Sequence, residues 1–463
     1  MDPSPARFSP ERCRVDVKTL FSVRLGCPKN NIDSEVMEAL LEEEGFSILP
    51  AVEGSQIILI NTCAFIEPAR EEAVEEILHA VDLKNRGLCD HVIVAGCLVQ
   101  RYGAELVKEL PEVDLFIGTG EVGRIADHIA LVGSSKDSES PLLAGKPDFL
   151  MTAHHPRRLS SQPATAWIKI AEGCSNHCSY CVIPSIRGAY RSRTPEDIIE
   201  ETERLAREGV KELVLTAQET TAYGFDLPGR PSLARLMQAM ASVEGIRWIR
   251  LLYTHPRRLD DALFQVMAGE DKICSYLDVP LQHIDDDILR AMNRRCNSRD
   301  IRNILGRARE AVPGISLRTS FIVGFPGEKR QQFKRLLDFV RETRFDHLGV
   351  FTYSREEGTK AAAMEGQVPR RTAEARRDRI MREQAIISRE INESRIGSIQ
   401  EVLIEEYADF PGYTHLGRTR FQAPEIDGAT YVTSPGSEPG DMVRCRVVDA
   451  DTYDLFAEEI LEP

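Results

Sequence analysis

Long apolar runs are missing from this 463-residue sequence. A membrane-crossing helix needs roughly 20 such residues, and candidates such as Ser55–Ile60 are only strand-sized. The first residues, MDPSPARFSPERCR, are polar and proline-rich and lack the apolar centre of a signal peptide, so a cytoplasmic location is expected. Basic residues are scarce at the far end. Residues 396–463 hold 14 acids against four bases (Arg418, Arg420, Arg444 and Arg446), a balance of −10 out of −15 for the chain. Such a segment repels phosphate backbones and attracts basic partners, so RNA binding there is not expected. Solenoid-type repeats are also absent. The length exceeds what one core organises, which predicts two to four domains.

What the sequence does contain is cysteine, eleven in all. Where thiols stay reduced, that number points to metal or catalysis before disulfides. Cys27, Cys63 and Cys97 each follow a predicted strand, within Val17–Leu25, Gln56–Ile60 and His91–Ala95. Helical patterns run from Asp33 to Gly45 and from Pro68 to Leu83. Separations of 36 and 34 residues between these cysteines each match one βαβ step. In a parallel sheet the strand ends share one edge, where ligands bind.

A stretch rich in Ser, Pro and charge marks a linker at 134–162, after an N-terminal α/β domain at 15–133. Six predicted strands follow within 163–395: Ala166–Ala171, Glu212–Thr216, Trp248–Leu252, Tyr276–Val279, Ser316–Val323 and His347–Thr352. Helical patterns alternate with them, as at Pro195–Glu208, opened by Thr194. This rhythm predicts a partial (β/α)6 barrel with its chemistry at the C-terminal strand ends. In 396–463, short runs separated by glycines predict a small antiparallel barrel, with Tyr407, Phe410, Tyr413, Phe421 and Tyr431 in its core.

The remaining signal is AEGCSNHCSYCVIP, with Cys174, Cys178 and Cys181 just past the first central strand. Zinc would want a fourth ligand nearby, for which His177 is the nearest candidate. An iron–sulfur cube held by three thiolates leaves one iron open. The pattern Cys174-x-x-x-Cys178-x-Tyr180-Cys181 resembles the CxxxCxΦC signature of the radical S-adenosylmethionine (SAM) enzymes. That resemblance implies a 4Fe-4S cluster whose open iron chelates the amino and carboxylate groups of SAM. The cluster's electron then breaks SAM into methionine and a 5′-deoxyadenosyl radical. It also implies that Gln218 and Glu219 lie near the SAM amino group, and that Tyr180 and Gly324 (in Ile322–Glu328) lie near the adenine. Arg318, on the fifth central strand, reads either as a partner of the SAM carboxylate or as an ordinary edge charge.

Gly26-Cys27-Pro28-Lys29-Asn30, Asp33-Ser34-Glu35, Asn61-Thr62-Cys63 and Ala95-Gly96-Cys97 narrow the resemblance to the methylthiotransferases, from about Lys18 to Glu459. These carry an N-terminal α/β domain, a radical SAM domain and a C-terminal TRAM barrel. The resemblance implies a second 4Fe-4S cluster on Cys27, Cys63 and Cys97 that carries an exogenous sulfur. It also implies two SAM per product, an external electron donor and a sulfur source. Pro28-Lys29, Leu277–His283 and Phe351–Thr359 resemble the RimO branch, which modifies the β-carbon of an aspartate in ribosomal protein S12, free or on the ribosome. The other branch modifies adenosine in transfer RNA. Glu219 departs from the RimO branch, which usually carries Asp there, but keeps the acid. An acidic barrel suits a basic ribosomal protein. Cys13, Cys89, Cys274, Cys296 and Cys445 read as ordinary thiols.

Overall fold

The computed structural model describes residues 18–130, 132, 141–159 and 164–461. Cys13, the domain start at 15–17 and parts of the expected linker (134–140 and 160–162) lie outside the described residues.

The N-terminal domain is built on six strands: β1 (Thr19–Arg24), β2 (Ser47–Leu49), β3 (Ile57–Thr62), β4 (His91–Gly96), β5 (Leu115–Ile117) and β6 (Leu142–Leu143). They lie in the order β2-β1-β3-β4-β5-β6, and every pair is parallel. A parallel sheet is covered on both faces, so its central strands read as unbroken apolar runs. Every residue of β3, IILINT, is buried. β6 comes from the stretch that reads as linker, so part of that stretch belongs to the sheet. Helices α1 (Pro28–Glu43), α2 (Glu67–Asn85) and α3 (Cys97–Glu109) follow β1, β3 and β4. α1 begins five residues before the predicted start at Asp33, because Pro28 fits the first helical position, where no amide partner is needed.

The central domain contains β7 (Thr165–Lys169), β8 (Ala171–Glu172), β9 (Arg191–Ser192), β10 (Glu212–Thr216), β11 (Trp248–Leu251), β12 (Ile273–Asp278), β13 (Ser316–Val323) and β14 (His347–Thr352). β8 and β9 pair antiparallel in a short ladder of their own. The other six form a parallel sheet in chain order from β7 to β14, the wall of a partial barrel. Its core includes Ile168, Leu213, Leu215, Ile249, Leu277, Leu317 and Phe321. The helix Arg370–Glu393 packs along β14 and buries Ile380 and Ile387.

β15 (Ile399–Tyr407), β16 (His415–Thr419), β17 (Thr430–Thr433), β18 (Met442–Ala450) and β19 (Leu455–Glu459) close a barrel in the order β15-β16-β17-β19-β18. All pairs are antiparallel except β17 with β19. The expected aromatic core is not there. The interior is filled by Val402, Ile404, Val432, Val443, Cys445 and Ala457. Tyr407 and Phe410 are 62% and 43% exposed, and Tyr413 and Tyr431 are half-buried on the outside. Phe421 packs at one end, against Val447, Ala450 and Leu455. The small interior of a five-stranded barrel is satisfied by branched aliphatics and leaves no room for rings.

Buried ion pairs fasten this barrel to the central domain. Arg418 bonds Glu212 at 2.6 Å and Glu405, while Arg250 holds the other oxygen of Glu212 at 2.8 Å. Burial alone would raise the Glu212 carboxyl, but Arg418 and Arg250 outweigh it and carry it down to about 2. Removing one member of such a set strands a buried charge, at a cost of about 3–5 kcal/mol. Glu405 is therefore a structural acid and not part of the outward-facing charge.

Candidate active site between the two parallel sheets

The three N-terminal thiols sit at the C-terminal ends of neighbouring strands. Cys27 precedes α1 as its cap, Cys63 lies one residue past β3, and Cys97 opens α3. Gly26, with φ +94°, lets the first turn press on the second. A side-chain carbon there would stand 2.6 Å from Cys63 Cβ and 3.1 Å from its Sγ. Asn30 Nδ2 donates to the Leu25 carbonyl at 2.7 Å. Asn61 Nδ2 donates to the Asn30 carbonyl at 2.9 Å and to Ser34 Oγ at 2.8 Å. The asparagines of the first and third motifs thus lock the cysteine-bearing turns together. Burial pushes the Cys97 thiol up to about 12, with Arg187 opposing, and raises Cys63 against the amides of Phe65 and Ala64.

The second set lies on the loop between β8 and the short helix Ile183–Arg187. Its backbone is pinned. The Cys174 amide donates to the Gly188 carbonyl at 3.0 Å, and Ser179 bonds Ala291 and Met292. Asn293 Nδ2 donates to the His177 carbonyl at 2.7 Å. Burial raises Cys181 to about 12, with the Ile183 amide opposing. Buried Arg294 points a guanidinium nitrogen at Cys178 Sγ, 3.8 Å away, and holds the Pro280 carbonyl at 2.6 Å.

The other expected residues fall into two groups. Tyr180 packs against an apolar group with Ile288, Met292, Phe325 and Ala361, and so meets the Ile322–Glu328 segment. Gln218 Nε2 donates to Glu172 Oε1 at 2.5 Å, and its own Oε1 is buried without a partner. Glu219 is tied to Asn176, Arg258 and Thr221. Gly324 is needed for packing: a side chain there would collide with Ala373. Arg318 is engaged by Asp278 at 2.9 Å and, across to the barrel, by Asp427 at 3.4 Å.

Sequence reasoning missed the residues that join the two sets. Arg187 Nη2 donates to Cys97 Sγ at 3.2 Å and to Asn30 Oδ1 at 3.0 Å. Its Nη1 donates to Asp33 at 2.5 Å. Lys169 Nζ bonds Asp33 at 2.6 Å and Glu172 at 2.8 Å. All four charged groups are buried. Burial would raise Glu172, but Lys169 and Arg187 carry it down to about 2. The one sequence signal was a lysine inside the apolar strand TAWIK. Lys29 Nζ also stacks on the Tyr253 ring at 3.3 Å, a further contact between the domains.

Six free thiols in two sets of three are donors of the kind that iron–sulfur clusters take. A cube takes its thiolates at separate corners, whereas zinc takes all its ligands at one point. Hydrogen bonds to ligand sulfurs are one of the levers a protein holds on such a cluster.

Comparison with known proteins agrees in every segment. Residues 168–340 match the Radical SAM superfamily, residues 19–118 match Uncharacterized protein family UPF0004, and residues 396–460 match the TRAM domain. Ribosomal protein uS12 methylthiotransferase RimO of Syntrophus aciditrophicus is 57% identical, over 95% of this chain and 98% of that protein. The protein of the same name from Geotalea uraniireducens is 49% identical, over 94% and 97%. In fold, the chain is similar to the radical SAM methyltransferase TsrM of Kitasatospora setae, solved with cobalamin and a 4Fe-4S cluster. The TM-score is 0.53 at 14% identity, covering 85% of this chain and 78% of that one. With that identity running nearly end to end, the chain belongs to the RimO family of radical SAM methylthiotransferases.

Proposed function

We propose that the chain adds a methylthio group to the β-carbon of an aspartate in ribosomal protein S12 in the cytoplasm. It would use two SAM and two 4Fe-4S clusters, one on Cys174, Cys178 and Cys181, the other on Cys27, Cys63 and Cys97. The observation that carries this reading is one short segment touching both sets. The Gly188 carbonyl holds the Cys174 amide, and the neighbouring Arg187 guanidinium reaches Cys97 Sγ. Clusters and SAM together supply a one-electron route to an unreactive C–H and a sulfur to place on it, which no side-chain acid or base provides near neutral pH.

The chain's own residues seat those groups. Arg187 and Arg294 each point N–H donors at a ligand sulfur, one per set. Tyr180 and Phe325 offer an apolar face for the adenine, and the free Oε1 of Gln218 is a ready acceptor for the SAM amino group. Asp33, Lys169, Glu172 and Arg187 hold the domains in register by charge neutralisation in a dry interface. The electron donor and the sulfur source are external.

Outside these sets, the barrel's excess of acids suits a basic protein and repels RNA. Mass spectrometry of uS12 from cells with and without this gene tests the reading. The gene should add one methylthio mass to uS12. An unmodified uS12 in both strains, or a gain found on transfer RNA instead, contradicts it.

A further inference from the structure

The barrel's outer wall carries an aromatic patch that serves neither the thiol sets nor the interdomain ion pairs. In register across the wall, Leu416 on β16 stands beside Tyr431 on β17, Tyr431 beside Phe456 on β19, and Phe456 beside Asp449 on β18. Tyr431 and Phe456 stack with centroids 5.5 Å apart and 17° between planes. Phe410 and Tyr413, from the turn joining β15 to β16, fold over this row, 4.8 Å from Tyr431 and 5.2 Å from Phe456 respectively. Four clustered rings outside a small barrel, Phe410 exposed and the other three half-buried, make an apolar surface of the kind that marks a contact site.

The rim of the patch is acidic. Asp409 precedes Phe410 and is exposed. Asp449 and Glu458 lie near enough to Tyr413 to add to the effect of burial in raising its phenol. Among the described residues, bases near this edge include Arg446, opposite Glu458 in register, Arg444 two positions before it on β18, and Arg389, bonded to Glu393 and near Asp449.

We propose that this patch binds an arginine- or lysine-rich segment of a basic protein, with its cationic side chains lying on Phe410, Tyr413, Tyr431 and Phe456 and facing Asp409, Asp449 and Glu458. Ring faces attract cations through their quadrupole, most of all where water is excluded. Rings of this kind also stack nucleic-acid bases, but such sites line a positive groove, and this rim has the opposite sign. The inference rests on the reading of a basic protein substrate. It adds that ring contact, and not charge alone, holds that substrate. Attraction between exposed charges fades with salt, whereas ring contact persists.

The test titrates the full chain with purified uS12 and with hexa-arginine, at low and at high salt. Phe410→Ser and Tyr431→Ser should each weaken binding by about threefold to tenfold at both salt concentrations, and Tyr431→Phe should bind as the native chain does. Asp449→Lys should weaken binding mainly at low salt. If Tyr431→Ser does not fold, Phe410→Ser decides alone, since Phe410 lies in an exposed turn. Native affinity in the serine variants overturns the patch, and leaves the basic-protein reading standing if Asp449→Lys still loses affinity. No binding of uS12 by the native chain overturns both. Binding of poly-uridine that is lost in Phe410→Ser assigns the patch to RNA and also overturns the proposal.

Discussion

Cys174→Ala protein, reconstituted without oxygen, is expected to hold about four irons where the native chain holds about eight, and to cleave no SAM under reductant. The size of the effect follows from the geometry. Cys174 is one of three thiols on a loop pinned by its own amide to Gly188 and by Ser179 and Asn293 to Ala291–Asn293. Removing one thiolate from three leaves too few to hold a cube. Since the loop's backbone is fixed elsewhere, the rest of the fold should stand. Iron and sulfide content and SAM cleavage are read separately. A full iron complement in the variant refutes the assignment of the triplet. Lost iron with intact cleavage would place the SAM chemistry elsewhere.

Cys63→Ala is expected to give the complementary result: SAM cleavage near native rates, no methylthio product and about half the iron. Cys63 lies past β3, and its turn touches the Cys27 turn through Gly26, while the Cys174 set stands on the other domain. The two functions should separate because the sets share no ligand. The segment that touches both, Arg187–Gly188, reaches Cys97 and the Cys174 amide and not Cys63. Loss of both activities in this variant, with the Cys174 set still loaded with iron, would merge two sites that the structure keeps apart.

The sequence told most where a pattern was local. Glu212–Thr216, Ser316–Val323 and His347–Thr352 are strands with the bounds expected of them, because β-branched apolar runs between turn residues need no tertiary help to be read. The short strands Ser47–Leu49, Leu115–Ile117 and Leu142–Leu143 cannot be read from the sequence, since two or three residues carry no periodicity. The barrel aromatics misled because alternation shows that one face is apolar without showing which face is inside. Arg187 could not be read from its neighbours in sequence, since its partners Asp33, Asn30 and Cys97 lie 154, 157 and 90 positions away. Arg318, on the sequence alone either a partner for a ligand carboxylate or an edge charge, meets two carboxylates of the chain itself, Asp278 and Asp427. Docking driven by the acids of the barrel is tested by reversing those that face outward. Glu405 is buried against Arg418, so Glu406 and Asp409, both exposed, are the positions to reverse.

The central claim is that the chain would hold two iron–sulfur clusters, on thiol sets joined by the segment Arg187–Gly188. Electron paramagnetic resonance of the fully reduced native chain tests it most directly. Two paramagnets on sets so joined should broaden or split each other's signals, giving a spectrum that differs from the sum of the Cys174→Ala and Cys63→Ala spectra. A native spectrum equal to that sum would mean that the clusters do not sense each other, and would contradict the account.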